Sequence, residues 1–181
     1  MKFKFNISLD DKEFIDFNVF VLTKSIYGRK IMVLTRIIVA LMFALGALVP
    51  LASFGFTLKT VYTLIPLLVI LVVAQIFLKH FITWSIKRTI NKNKRSGKMG
   101  YSPNSEMEFY DEKFCEVTPD NKTESSYSSV ECVSIIKDKA TYIHINHAMA
   151  YILPASCFNS TEEYEDFISF LKEKCATVNI Y

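Results

Sequence analysis

Histidines and cysteines are the side chains in this sequence best suited to metal binding. His144 and His147 are three residues apart, and residues with that spacing on a strand point to opposite faces. A strand would therefore keep the two imidazoles from sharing one metal ion. A turn that brought both toward Cys132 or Cys157 would create a site, so this alternative stays open. The pattern favours a chain with no metal and no cofactor.

The sequence also gives only weak signs of a catalytic nucleophile. A cysteine nucleophile needs a histidine partner, and Cys157 lies near His147 in the sequence, but the intervening residues 149–153 have the composition of a core strand. Buried free thiols are the predicted state of the cysteines. Only five glycines occur, and none lies in a phosphate-cradling motif. We therefore expect that the chain is not an enzyme.

A cluster of basic residues is the most suggestive functional feature. Residues 79–98 carry seven Lys or Arg and no acid. Basic residues beside an anionic leaflet gain about 1 kcal/mol each. We predict contact with anionic lipid headgroups for Lys87, Arg88, Lys92, Lys94, Arg95 and Lys98.

Two roles of this basic cluster remain open. It could serve only to fix membrane topology, or the acidic C-terminal region could dock on it and compete with lipid. Residues 99–181 carry fourteen acids against six lysines, which makes that docking electrostatically favourable. Because the positive charge is local, the pI near 8.6 does not indicate nucleic-acid binding. The expected partners are the bilayer and an unidentified protein.

Two uncharged apolar stretches, 37–56 and 61–78, dominate the middle of the chain. About 20 apolar residues in a helix cross a bilayer, so we predict a transmembrane hairpin with spans at about 35–56 and 61–80. Lys59 is the only charge in the connector, and the Lys/Arg excess outside predicts that both termini are cytoplasmic. Phe81 and Trp84 fit the inner interface. An oligomeric subunit of a transporter or channel is the alternative function, and a homo-oligomer is compatible with either role.

Soluble segments flank the predicted hairpin at 31–80. Residues 1–30 contain a predicted strand at 2–7 and a helix from 10 toward 21, with a break at 23–30. Residues 81–103 form the basic juxtamembrane segment. Residues 104–181 form the C-terminal domain, and strand 2–7 is expected to join its sheet.

Regular turn spacing in the C-terminal domain predicts a small antiparallel sheet. The predicted strands are 107–110, 114–118, 123–126, 132–136, 141–145 and 149–153. Ser160 and Glu163 form a capping box that starts a closing helix, whose apolar stripe should lie on the sheet. The fold class is therefore an α+β membrane protein.

Short motifs recur in a distinctive order around the apolar stretches. They are F-I-D-F-N at 14–18, the basic exit with Trp84, I-L-P at 152–154 before Phe158, and S-T-E-E at 160–163. Together they resemble the YcxB-like bacterial membrane proteins. The resemblance implies an inner-membrane protein whose residues 104–175 are similar to a small pleckstrin-homology-like sheet capped by a helix.

Two departures from the family pattern concern possible ligand contacts. The family tends to place a basic residue after the proline, where this chain has Ala155, and a Tyr-x-Trp element where 127–130 stands. The resemblance implies a fold and a topology more than an activity. The expected role is a non-enzymatic, membrane-tethered interaction or regulatory module.

Overall fold

Two compact units make up the chain in the computed structural model, which describes residues 1–97, 100–146 and 149–181. Met1–Val21 and Ile90–Tyr181 form one unit, called here the sheet unit. Leu22–Thr89 form the other, called the helical unit. Both ends of the sequence therefore belong to the same unit, with the helical unit inserted between them.

Long helices build the helical unit. Helix α1 (Asp11–Thr23) begins in the sheet unit, and α2 (Ile26–Phe54) and α3 (Leu58–Arg95) follow it. Both α2 and α3 are long and apolar enough to cross a membrane, and their most apolar windows are unburied within the protein. The predicted break at 23–30 is wrong in extent, because Ser25 Oγ accepts the Gly28 N–H and starts α2 at Ile26.

Polar side chains in these apolar helices have hydrogen-bond partners. The Gln75 amide donates to the Arg36 carbonyl at 3.1 Å. The hydroxyls of Thr35, Ser53 and Thr63 each donate to the carbonyl four residues earlier, at 2.8–2.9 Å. These bonds keep the polar groups satisfied without water, as a hydrocarbon environment requires.

Sheet A contains four antiparallel strands in the order β1-β2-β3-β4. They are β1 (Phe3–Ser8), β2 (Asn104–Phe109), β3 (Lys113–Val117) and β4 (Lys122–Ser126). The register places Phe3 opposite Phe109 and Ile7 opposite Ser105. The prediction that the N-terminal strand joins the C-terminal sheet is confirmed.

Sheet B is a second four-stranded sheet in the order β7-β6-β5-β8. Its strands are β5 (Cys132–Ile136), β6 (Ala140–His144), β7 (Ala150–Pro154) and β8 (Val178–Ile180). The expectation of one small antiparallel sheet is thus corrected. The strands divide between two sheets after β4, and β8, which the sequence pattern did not reveal, lies parallel to β5.

Helix α4 (Thr161–Lys174) closes the domain as predicted. The Ser160 hydroxyl accepts the Glu163 N–H at 3.1 Å. In return, the Glu163 carboxylate accepts the backbone N–H of Asn159 at 2.7 Å, one residue before the position of an ideal capping box. The α+β layout is therefore confirmed.

The main core lies between the two sheets and α4. Phe167 is fully buried at its centre, with ring centroids 4.9 Å from Phe5 and 4.8 Å from Phe109. Ile143 and Leu153 contribute fully buried side chains from sheet B. Burial of such side chains is worth roughly 1.5–3 kcal/mol each, so this aromatic cluster fixes α4 on the sheets.

A smaller core lies on the opposite face of sheet B, where α1 packs. Phe17 and Phe20 of α1 contact Tyr142, with ring centroids 5.1 and 5.2 Å apart, and Ile152 completes the cluster. Because Tyr142 and Ile143 are adjacent on β6, they point to opposite faces. Both are buried, so sheet B is covered on its two sides.

Candidate functional site

The basic cluster lies on the final turns of α3. Lys87, Arg88, Lys92, Lys94 and Arg95 are all exposed, whereas Lys98 lies outside the described residues. Arg88, Lys92 and Arg95 follow one another at four- and three-residue steps and therefore share one helix face. The same helix thus carries an apolar stretch followed directly by a face of unbroken positive charge.

Trp84 and Arg88 form a pair at the start of this basic face. The Arg88 guanidinium carbon lies 5.2 Å from the centroid of the indole ring, within the range of a cation–π contact. Trp84 is itself about half exposed. An amphipathic ring beside a cation is typical of the level of the lipid headgroups.

Lys94 binds α1 within the sheet unit. Its ammonium group forms an ion pair with Asp11, whose second carboxylate oxygen accepts a hydrogen bond from the Tyr101 hydroxyl at 2.7 Å. Lys94 and then Tyr101 lower the pKa of Asp11. Burial and the Asp11 carboxylate raise the pKa of Tyr101 to about 12. Within the part of the chain that the structure describes, Lys94 is the only member of the basic cluster with an ion-pair partner, and that partner is on the N-terminal helix.

The structure describes only one of the two histidines that a turn could have brought together at a metal site. His144 is buried at the end of β6, with its ring 6.1 Å from that of Phe17, and His147 lies outside the described residues. Among the residues with described positions, no group of three His, Cys, Asp or Glu side chains is arranged to hold a metal ion.

The four cysteines are free thiols in the structure. Cys115 and Cys175 are buried, and Cys132 and Cys157 are half-buried. Burial raises the pKa of the Cys157 thiol to about 12, with Glu163 adding to the effect. The thiolate is the nucleophilic form, so this environment keeps Cys157 weakly reactive at neutral pH.

A cavity of about 530 Å³ lies inside the sheet unit, between α1, the two sheets and residues 100–102. Polar side chains of sheet A line one wall. Glu116 lies opposite Thr123 and Met107 in the strand register, and Ser105 and Ser125 line the cavity beside them. The inner face of sheet A is therefore aromatic where α4 covers it and polar where it meets the cavity.

Glu116 is the charged group among the residues that the structure places around this cavity. It is half-buried, and burial raises its pKa, an effect that a hydrogen bond with Ser105 partly opposes. The hydroxyl of Ser125, on the same wall as Glu116, lies 3.0 Å from the hydroxyl of Tyr151 on sheet B. The arrangement is a partly solvent-exposed cavity with one carboxylate, that of Glu116, among its described lining residues.

Sequence reasoning missed this cavity, although one signal was available. Glu116 follows Phe114 by two residues on a predicted strand, so the carboxylate had to share a face with a core aromatic ring. A charged residue on the inward face of a strand is uncommon without a partner or a function. The remaining wall comes from α1 and sheet B, whose positions depend on tertiary packing.

The fold and these features define an α+β protein with two candidate membrane-spanning helices. Comparison with protein families gives a more specific assignment, because residues 109–171 match the family model described as YcxB-like protein. The matched segment runs from the end of β2 through most of α4, and over that range the chain is similar to the YcxB-like family. No curated protein and no solved structure matches the chain.

Proposed function

We propose that the chain is an integral protein of the bacterial inner membrane that acts as a non-enzymatic interaction or regulatory module. In this proposal α2 and α3 form a transmembrane hairpin, and both termini lie in the cytoplasm. The YcxB-like region then belongs to a pleckstrin-homology-like domain held at the membrane surface. The observation that carries the proposal is the continuous helix α3, which passes from an apolar stretch to an exposed basic face.

Charge distribution supports the cytoplasmic orientation. The connector between α2 and α3 contains Gly55 and Phe56, and its surroundings carry only Lys59, whereas basic residues accumulate at the other ends of the helices. Cytoplasmic flanks of membrane helices carry the Lys/Arg excess. The two termini belong to one compact unit, which fits an even number of membrane crossings.

Anionic lipid is the proposed first partner of the basic cluster. Lys87, Arg88, Lys92 and Arg95 are exposed and have no ion-pair partner among the described residues. They are thus available to headgroups, at about 1 kcal/mol each near an anionic surface. Lys94 instead ties the end of α3 to Asp11 of α1. We propose that Lys98 extends the lipid-binding set and that an unidentified protein binds the exposed, polar edge strand β4.

Labelling of cysteines introduced one at a time tests the orientation in intact cells. Phe56→Cys places a thiol in the nearly fully exposed connector, and Glu112→Cys places one in the exposed β2–β3 turn. A membrane-impermeant maleimide should label Phe56→Cys in intact cells and Glu112→Cys only after permeabilisation. The natural chain reports the background from its own cysteines. Labelling of Glu112→Cys from outside would contradict the proposal.

A spin label tests the lipid contact. We expect a label at Asn91→Cys in nanodiscs to become more accessible to oxygen and less accessible to a nickel complex when anionic lipid replaces zwitterionic lipid. The double variant Lys92→Gln/Arg95→Gln should lose most of this change. Lys137→Gln/Lys139→Gln removes two exposed positive charges from sheet B's hairpin and should keep it. An equal change in label accessibility in the two double variants would show that the basic cluster does not bind anionic lipid specifically.

A further inference from the structure

We propose that the cavity between the two sheets binds a small organic cation, a primary amine carried on a compact apolar body. This inference concerns the sheet unit alone and goes beyond the membrane role proposed above. The cavity has about 530 Å³, within the range of small-molecule sites in proteins. Its walls combine one carboxylate, several hydroxyls and a larger apolar surface.

The charge of the ligand follows from the lining. Glu116 is the single charged side chain among the described lining residues, and neither Lys nor Arg occurs among them. Among the described lining residues an anionic ligand would meet a carboxylate and no compensating cation, so phosphates and carboxylic acids are disfavoured. A cation would instead neutralise the Glu116 carboxylate, whose ionised form is disfavoured by burial.

The ammonium form matches the neighbouring acceptors. A primary ammonium group has three N–H donors, like the side chain of lysine. Glu116 and Thr123 are directly opposite each other on β3 and β4, so their Cβ atoms are about 4.5–5.5 Å apart. Ser105 lies on the same inner face and bonds to Glu116. One carboxylate and two hydroxyls can therefore accept hydrogen bonds from all three N–H groups.

The apolar body of the ligand follows from the apolar part of the lining, which comes from both sheets and α1. Phe14 and Phe17 of α1, Met107 of β2 and Ile152 of β7 line the cavity together with Ile7. These side chains offer a surface for hydrocarbon and no further charge. A fully polar cation such as a hydrated metal ion would leave this surface wet, so a compact hydrocarbon group on the amine fits better.

Three probes of matched shape test the proposal: cyclohexylmethylamine, cyclohexylmethanol and cyclohexanecarboxylate. The full chain in nanodiscs is labelled with ¹³C at its methionine methyl groups. Met107 lines the cavity and reports binding, whereas Met42 lies exposed on α2 and reports partition into lipid. We expect saturable shifts of the Met107 signal with the amine, at least tenfold weaker binding of the alcohol, and no saturable shift with the carboxylate.

Variants identify the group responsible. Glu116→Gln should abolish the tenfold preference for the amine, and the exposed turn variant Glu112→Gln should keep it. Thr123→Val should weaken amine binding several-fold, and it provides a second test if Glu116→Gln does not fold. The proposal is overturned if amine and alcohol bind equally, if only Met42 responds, or if Met107 responds to none of the probes.

Discussion

Sheet A and sheet B differ in what covers their outer faces. The outer face of sheet A carries ion pairs between neighbouring strands, including Lys4–Glu106 at 2.8 Å and Lys113–Glu124 at 2.7 Å. The outer face of sheet B packs against α1 through Tyr142 and Ile152. Sheet A therefore borders solvent, and sheet B is an interior layer between α1 and the main core.

The order of apolar and polar residues along the strands reflects this difference in burial. In β1 of sheet A, apolar and polar residues alternate, as in Phe3-Lys4-Phe5, which suits one buried face and one face in contact with solvent. In β6, Thr141, Tyr142, Ile143 and His144 are all buried in succession. A run without alternation thus indicates a strand that is covered on both sides.

The largest expected effect comes from placing a charge on each outer face. Tyr142→Lys replaces a ring that is 4% exposed with an ammonium group under α1, and we expect a loss of about 3 kcal/mol or more in the free energy of unfolding. Asn6→Lys introduces the same side chain on the exposed face of sheet A and should stay within about 0.5 kcal/mol. Urea-dependent pulse proteolysis in nanodiscs measures both. Similar losses of unfolding free energy in the two variants would contradict the difference in burial between the outer faces of the two sheets.

Removal of a covering side chain tests α1 directly. Phe20 is 5% exposed and contacts Tyr142 and the C-terminal Tyr181, with ring centroids 5.2 and 4.9 Å away. We expect Phe20→Ala to cost about 3 kcal/mol, since the cavity left behind adds to the lost burial. Lys12→Ala, on an exposed position of the same helix, is the control and should be nearly neutral. A loss below about 1 kcal/mol for Phe20→Ala would mean that α1 does not cover sheet B.

A pH comparison tests the polar part of sheet A's inner face. Burial raises the pKa of Glu116 above its ordinary value of 4.5, so the folded chain binds this proton more tightly than the unfolded chain. Ionisation of Glu116 is therefore unfavourable for folding at neutral pH. We expect Glu116→Gln to be slightly more stable than the natural chain at pH 7. This advantage should shrink as the pH falls through the raised pKa and vanish below 4.5.

The same unfolding measurement, repeated from pH 7 to pH 4, checks this difference. Taking the difference between variant and natural chain removes the contributions of other acids, such as Asp111, whose pKa Lys2 lowers. A constant difference across the range would show that the Glu116 carboxylate is solvated in the folded state.

The smallest expected effect concerns the ion pairs on sheet A. Lys113 and Glu124 are about half exposed, so solvent screens their attraction. A double-mutant cycle with Lys113→Ala and Glu124→Ala should give little coupling, and what coupling there is should decrease with salt. A strong coupling that persists at high salt would show that this outer face is less open to solvent than the structure indicates.

Much of the local structure was predictable from the sequence. The capping residues of α4 and the alternation in β1 are local signals, and both gave the correct element type. The pairing of β1 with sheet A also followed, because its apolar face needs a partner. The resemblance to the YcxB-like family is confirmed at residues 109–171, which include the I-L-P and S-T-E-E motifs but neither residues 14–18 nor Trp84.

Long-range arrangement was not predictable in the same way. Turn spacing counts strands but does not say which edges pair, so the division into sheets A and B was missed. Strand β8 has three residues and little periodicity of its own. The candidate cavity depends on where α1 packs, and only the parity of Phe114 and Glu116 hinted at it.

The pairing of β1 with β2 has a consequence for synthesis. β1 precedes β2 in the chain by the whole of α1, α2 and α3, so its partner strand emerges from the ribosome only after these helices have been translated. Until then β1 has no neighbour with which to form backbone hydrogen bonds, and an unpaired apolar strand is open to aggregation. The apolar face of β1 must therefore stay protected during synthesis until β2 emerges, because only then can Phe5 enter the core beside Phe167.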